Sequence, residues 1–169
     1  QENRPDDWDN MFFATATLWS RKSHDAQTQC GCVLVKNKTI ISTGYNGFIR
    51  EIDDVVLPRE RPAKYPFMIH AEANAVYNAA REGQSTVDAR AYITAIPCRN
   101  CLQMLWQCGI REIYYSDISS PKGDIWGDYY NEILEQIGDR IVFRFFPKKH
   151  LCNFHLVEAA EKFENFLKD

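Results

Sequence analysis

Two short runs constrain this chain more than anything else in it: His70-Ala71-Glu72 and Pro97-Cys98-Arg99-Asn100-Cys101. Together they carry one imidazole, two thiols and one carboxylate. An imidazole and two thiolates are zinc-ligand types, and three protein ligands leave the fourth tetrahedral position to water, as in catalytic rather than structural sites. If the two runs act together, the fold must bring them to one point. Cys98 and Cys101, three apart at the start of a helix, project both sulfurs to one side of its first turn. His70 stands at the start of a different helix. Two helix N-termini facing one point present unpaired N–H groups and partial positive charge, which favour the thiolate a metal requires. Alone, a Cys-x-x-Cys pair is often structural zinc or a redox pair, and His-x-Glu is nearly uninformative. The joint occurrence, with Pro97 ahead of the first cysteine, carries the reading.

The pattern along the chain supplies elements to hold these runs. Asp6 or Asp7 caps a first helix with Trp8, Met11, Phe12, Thr15 and Trp19 on one face. Cys30 to Val35 and Thr39 to Tyr45 are apolar runs joined by Lys36-Asn37-Lys38, a hairpin. Residues 48 to about 68 have no period and carry Pro58, Pro62 and Pro66, a loop. An alanine-rich helix runs from about His70 to Glu82 and stops at Gly83. Ala91 to Ile96 is a buried strand leading through Pro97 into a helix ended by Gly109. Glu112 to Ser116 is a strand, about 126 to 137 a helix, and Ile141 to Phe146 a strand. Asn153 caps a last helix with Leu156, Ala160, Phe163 and Leu167 on one face. Strands alternating with helices after a hairpin predict an α/β fold, a three-layer α/β/α sandwich around a central mixed five-stranded sheet, with residues 1–169 as a single domain.

Composition bounds the function. The 45% hydrophobic and 25% charged content is ordinary for a globular protein, and a net charge of −3 does not suit gripping a polyanion along the whole surface. No apolar run approaches a membrane span. Of the six cysteines, Cys98 and Cys101 have metal spacing, while Cys30 and Cys32 lie in an apolar strand and read as buried free thiols. These features predict a cytoplasmic, reducing location.

The histidine, glutamate and paired cysteines follow the H-x-E…P-C-x-x-C signature of zinc nucleobase deaminases. Over residues 8 to about 150 the chain resembles the deoxycytidylate (dCMP) deaminases of the cytidine deaminase-like superfamily. The likeness runs through Trp8-Asp9, Thr28-Gln29-Cys30-Gly31-Cys32, Gly44-Tyr45-Asn46-Gly47, Asp53-Asp54-Val55 and Leu57-Pro58. It continues in Lys64-Tyr65-Pro66-Phe67 ahead of His70, in Cys108-Gly109-Ile110 and in Phe146-Pro147-Lys148. Gly-Tyr-Asn-Gly is the discriminating piece, because nucleoside cytidine deaminases lack it. The chain departs from the family at Ile49, where a proline is usual, at Glu51, where a glycine is usual, and at Ser116-Asp117-Ile118-Ser119-Ser120.

The resemblance implies hydrolysis of dCMP to dUMP and ammonia, feeding thymidylate synthesis, with zinc on His70, Cys98 and Cys101. Two thiolates cancel the charge of the ion, so a nearby base is needed. Glu72 fills that role, taking a proton from water and handing it to the substrate ring nitrogen, and afterwards delivering a proton to the departing ammonia. It also implies a homo-oligomer, commonly a hexamer, activated by dCTP and inhibited by dTTP with Mg²⁺. Asn46 is then a nucleotide contact, the Ala71 N–H faces the base carbonyl, and Arg81 lies near subunit contacts or is a solvated helix end. Gly44, Tyr45, Asn46 and Gly47 are the candidate effector residues, their glycines letting successive N–H groups close around phosphates. For the substrate phosphate the candidates are Arg21, Lys22 and Thr28, although Arg21 and Lys22 serve equally as partners of the helix dipole. Two rival readings are a deaminase of modified dCMP or of polynucleotide cytosine, which wants a basic groove with aromatics, and a non-catalytic zinc module, which has no use for Glu72.

Overall fold

The computed structural model describes residues 4–120 and 127–151 together with Lys162; the helix expected from Asn153 lies outside them. In chain order the elements are α1 (Asp7–Ser20), β1 (Gly31–Lys36), β2 (Thr39–Tyr45), α2 (Ala71–Arg81), β3 (Arg90–Ile93), α3 (Arg99–Gln107), β4 (Glu112–Tyr115), α4 (Gly127–Ile137) and β5 (Val142–Phe145). The strands form one mixed sheet in the order β2-β1-β3-β4-β5. β1 is antiparallel to both β2 and β3, whereas β3, β4 and β5 run parallel. Parallel neighbours need a crossover, and α3 and α4 supply the two required. The hairpin turns through Asn37 (φ 52°) and Lys38 (φ 58°), the paired left-handed conformations that match strand twist.

Side chains alternate across the pleat and divide the interior in two. Val33, Val35, Tyr92 and Tyr114 face α1, where Phe12, Phe13, Ala16 and Phe146 join them. Cys32, Leu34, Ala91, Ile93 and Ile113 face the other way, onto α2, α3 and α4. The three layers are those expected, with β1 buried on both sides.

One expectation is corrected here. Phe12 is buried, but Trp8, Met11 and Trp19 are 48%, 60% and 37% exposed. α1 instead buries Phe13, Ala16, Thr17 and Ser20. Small residues allow the helix to lie close against β1, so close that a Cβ on Gly31 would stand 1.9 Å from the Ala16 carbonyl oxygen. Asp6 caps α1 reciprocally with Asp9. Among the described residues no helix is long and apolar enough to cross a membrane.

The sheet edge that matters is the one where β3 and β4 end, β1 begins and β2 finishes. Gly31 pairs with Tyr45 and Cys32 with Ile93, so these chain ends lie side by side. Here α2 and α3 both begin, outside the carboxyl ends of parallel strands.

Candidate active site

His70 and Cys98 occupy equivalent places, each the extended residue just before a helix (φ −69°, ψ 154° and φ −67°, ψ 166°). The His70 ring makes no capping bond and is free to turn toward α3. The chain ahead of it is pinned by a two-way backbone bridge, Gly47 N to Ile69 O at 3.0 Å and Ile69 N to Gly47 O at 2.8 Å. Cys98 Sγ accepts from the Cys101 N–H at 3.4 Å, capping α3. His70 Nδ1 lies 3.5 Å from Cys98 Sγ and 3.4 Å from Cys101 Sγ. All three donor atoms fall within 4.8 Å of one another.

These separations suit zinc. Bonds of about 2.3 Å to sulfur and about 2.0–2.1 Å to nitrogen, at tetrahedral angles, give an S···N edge of about 3.5 Å. The electrostatics agree. A hydrogen bond from the Cys101 thiol, aided by His70 and the Cys101 N–H, holds Cys98 down at about 4 against the opposing effect of burial. Cys101 is raised by the same shared proton, by burial and by the charge of Glu72. His70 is raised, chiefly by its bond to Cys98. Mutual stabilisation of thiolate and imidazolium marks a set of groups whose protons a cation would displace.

Glu72, in the first turn of α2, is 4% exposed. Burial raises its pKa, and the neighbouring His70 charge opposes that. A carboxyl whose pKa is raised by burial while a neighbouring charge opposes that rise is suited to both accepting and releasing a proton. Ala71 is the first residue of α2, so its N–H has no acceptor within the helix.

Asn46 holds the turn that leads into β1. Its Oδ1 accepts from the Cys30 N–H at 2.8 Å, and its Nδ2 donates to Thr28 O at 2.9 Å and reaches Asp25 Oδ2 at 3.5 Å. The amide is thus engaged at both ends, bracing the 25–30 turn. The Cys30 thiol is pushed up to about 12 by burial and the charge of Glu72, and Cys32 is fully buried. Thr94 ties the floor together: its hydroxyl accepts from the Gly31 N–H at 3.0 Å and lies 2.6 Å from the Ser119 hydroxyl.

The phosphate nest expected at Gly44–Gly47 is not formed. The Asn46 N–H donates to Cys30 O at 3.3 Å, and the Gly47 N–H belongs to the bridge with Ile69. Gly44 has a packing role, since a Cβ there would lie 2.3 Å from Ala71 O and 2.4 Å from Ala75 N on α2. Tyr45 stacks on Trp19, ring centroids 6.5 Å apart. Arg21 donates to Gln29 Oε1 at 3.1 Å, Lys22 is exposed, and Arg81 is exposed at the end of α2.

Sequence reasoning missed a buried ion pair beside Asn46. Lys64 Nζ lies 2.6 Å from Asp25 Oδ2, with both side chains almost wholly buried. Burial acts to raise Asp25, but bonds from Lys64 and from the Gln27 and Thr28 N–H groups outweigh it and lower its pKa. It also missed Arg61, whose Nη2 donates to Thr28 Oγ1 at 2.8 Å. A lysine next to Tyr65-Pro66 was visible in the sequence; its partner, thirty-nine residues earlier, was not.

Comparison with known proteins agrees with this geometry. The cytidine and deoxycytidylate deaminase zinc-binding region matches residues 6–117, more than half of the chain. The Homo sapiens deoxycytidylate deaminase is 29% identical over 157 residues, 84% of this chain and 82% of that protein. The Drosophila melanogaster protein described as "Probable deoxycytidylate deaminase" is 35% identical over 120 residues. That match covers 64% of this chain and spans only 58% of the Drosophila protein. The dCMP deaminase of cyanophage S-TIM5, solved without ligand, superposes with a TM-score of 0.64 at 25% identity, covering 82% of this chain and 96% of that one. The same phage enzyme has been solved in complex with dCMP and dUMP, and that form superposes with a TM-score of 0.66 at 24% identity, covering 86% and 99%. With the histidine, both cysteines and the buried glutamate converging at one sheet edge, and with this profile running through all of them, the chain belongs to the cytidine and deoxycytidylate deaminase family.

Proposed function

We propose that this chain hydrolyses dCMP to dUMP and ammonia in a single catalytic domain. The observation that carries the reading is the convergence of His70, Cys98 and Cys101, with the buried carboxylate of Glu72 two residues along the chain from His70. The dCMP and dUMP held by the structurally similar phage enzyme indicate the substrate class. His70, Cys98 and Cys101 would hold zinc, which would supply Lewis acidity toward water. Glu72 takes the proton from water as its oxygen bonds to the amino-bearing ring carbon, and passes it to the adjacent ring nitrogen. It then takes the remaining proton from the newly added hydroxyl and delivers it to the amino group, so that the carbonyl forms as the carbon–nitrogen bond breaks and ammonia leaves. The Ala71 N–H orients the base through its carbonyl, and the Asn46-braced turn closes the sugar side.

Regulation belongs to the same proposal: a homo-oligomer, a hexamer in the family pattern, activated by dCTP and inhibited by dTTP with Mg²⁺. Because the Asn46 and Gly47 N–H groups are committed, an effector here is read by side chains. Arg50, bonded to Asn78 on α2, is the cation at hand. A reducing, cytoplasmic setting suits the free thiols of Cys30, Cys32, Cys98, Cys101 and Cys108.

The test is ammonia release from dCMP, dCTP, deoxycytidine and a cytosine-containing oligonucleotide side by side, with dCTP and dTTP titrated in the presence and absence of Mg²⁺. The expected result is turnover of dCMP far above the others, raised by dCTP and lowered by dTTP. Equal efficiency on deoxycytidine would make it a nucleoside deaminase, preference for the oligonucleotide a polynucleotide deaminase, and no turnover at all a zinc module.

A further inference from the structure

The hydrogen bonds around Asn46 form a ladder that leads outward from the metal-ligand group. His70 follows Ile69, which is bridged to Gly47; Asn46 precedes Gly47 and grips Thr28 O at 2.9 Å. On the far side of Thr28 stands Arg61. Its guanidinium donates to Thr28 Oγ1 at 2.8 Å, and its backbone N–H donates to Gln27 Oε1 at 3.2 Å. The loop that carries Arg61 is anchored three residues later by the buried Lys64–Asp25 pair, so its position is set from inside the protein.

Arg61 differs from its neighbour Lys64 in what it lacks. Lys64 is satisfied by Asp25 at 2.6 Å. Among the described residues Arg61 has no carboxylate partner, and its one side-chain bond, to a neutral hydroxyl, leaves the remaining N–H groups of the fork open. A fixed, exposed guanidinium with unused donors, paired with a hydroxyl, is matched to a phosphate, which accepts two parallel bonds from the fork.

We infer that Arg61, together with Thr28, recognises the 5′-phosphate of the substrate and sets the preference for a nucleoside monophosphate over a nucleoside. This deepens the proposed function and rests on it. It also shifts the role assigned to Arg21 and Lys22 onto a residue from an unpatterned loop.

The experiment uses the zinc-containing protein as purified. Binding of dUMP and of deoxyuridine is measured by titration calorimetry, and kcat and KM for dCMP by ammonia release, in wild type, Arg61→Ala, Arg61→Gln and Arg61→Lys. Arg61 is exposed, so truncation leaves the core intact, and glutamine keeps a donor for Thr28 while removing the charge. The expected result is a ten- to hundred-fold loss of dUMP affinity in the alanine and glutamine variants, with a matching rise in KM for dCMP. The ratio of dUMP to deoxyuridine affinity falls toward one, and lysine gives an intermediate value. Inorganic phosphate competes with dUMP in the wild type and loses that effect in Arg61→Ala. An unchanged ratio in Arg61→Ala, or wild-type behaviour of Arg61→Gln, overturns the inference while leaving dCMP deamination standing. A wild type that does not turn over dCMP instead overturns the reading beneath it.

Discussion

Glu51 holds its backbone at φ 67°, the left-handed region that suits glycine, and it stands where dCMP deaminases usually carry one. For a residue with a Cβ that conformation costs about 1–2 kcal/mol, against about 0.5–1 kcal/mol for the extra chain entropy of glycine. Glu51→Gly is therefore expected to stabilise the fold by about 0.5–1 kcal/mol, seen as a higher denaturant midpoint; a lower midpoint would show that the carboxylate itself holds the loop. At this scale the metal donors were legible because each lies in a short local run with a spacing the chemistry demands. Arg61, Asp25 and Lys64 were not. Their partners are separated by more than thirty residues and sit in loops, where no periodicity marks which side chain turns inward.

Elements were legible where pattern and packing agree and misread where they diverge. The hairpin, the crossover helices and the glycine stops all carry local signals, and the structure places them as expected. α1 diverges because bulk is not the only reason for burial. Trp8, Met11 and Trp19 mark an apolar stripe, yet the sheet takes the face whose small residues permit close approach. Gly44 makes the same point for α2. Read from sequence it belongs to a phosphate loop, but in the fold it lets β2 touch the first turns of α2. A methyl group there meets backbone, which cannot swing aside as a side chain would. Gly44→Ala is expected to cost about 1–3 kcal/mol and, by displacing the start of α2, to lower the zinc content per chain. Thermal unfolding and metal analysis check it; an unchanged melting temperature with full zinc would contradict the packing role.

At the scale of the whole molecule, the mixed sheet is what turns two distant runs into one site. β1 and β2 bring Asn46 and the 25–30 turn to the edge where β3 hands the chain to Cys98, and α2 begins beside them with His70 and Glu72. Three donors close on a point, and the carboxylate stays off it. That division of labour between holding a metal and moving a proton is the central claim, and Glu72→Gln tests it most directly. Glutamine keeps the size and much of the hydrogen bonding of the buried side chain but cannot carry a proton. Zinc content, dUMP binding and turnover of dCMP should be measured on one preparation. The expected result is about one zinc per chain and retained dUMP binding, with turnover reduced by about two to four orders of magnitude. A variant that keeps even roughly a tenth of wild-type turnover with its zinc in place would contradict it, because a general acid–base is worth far more than that.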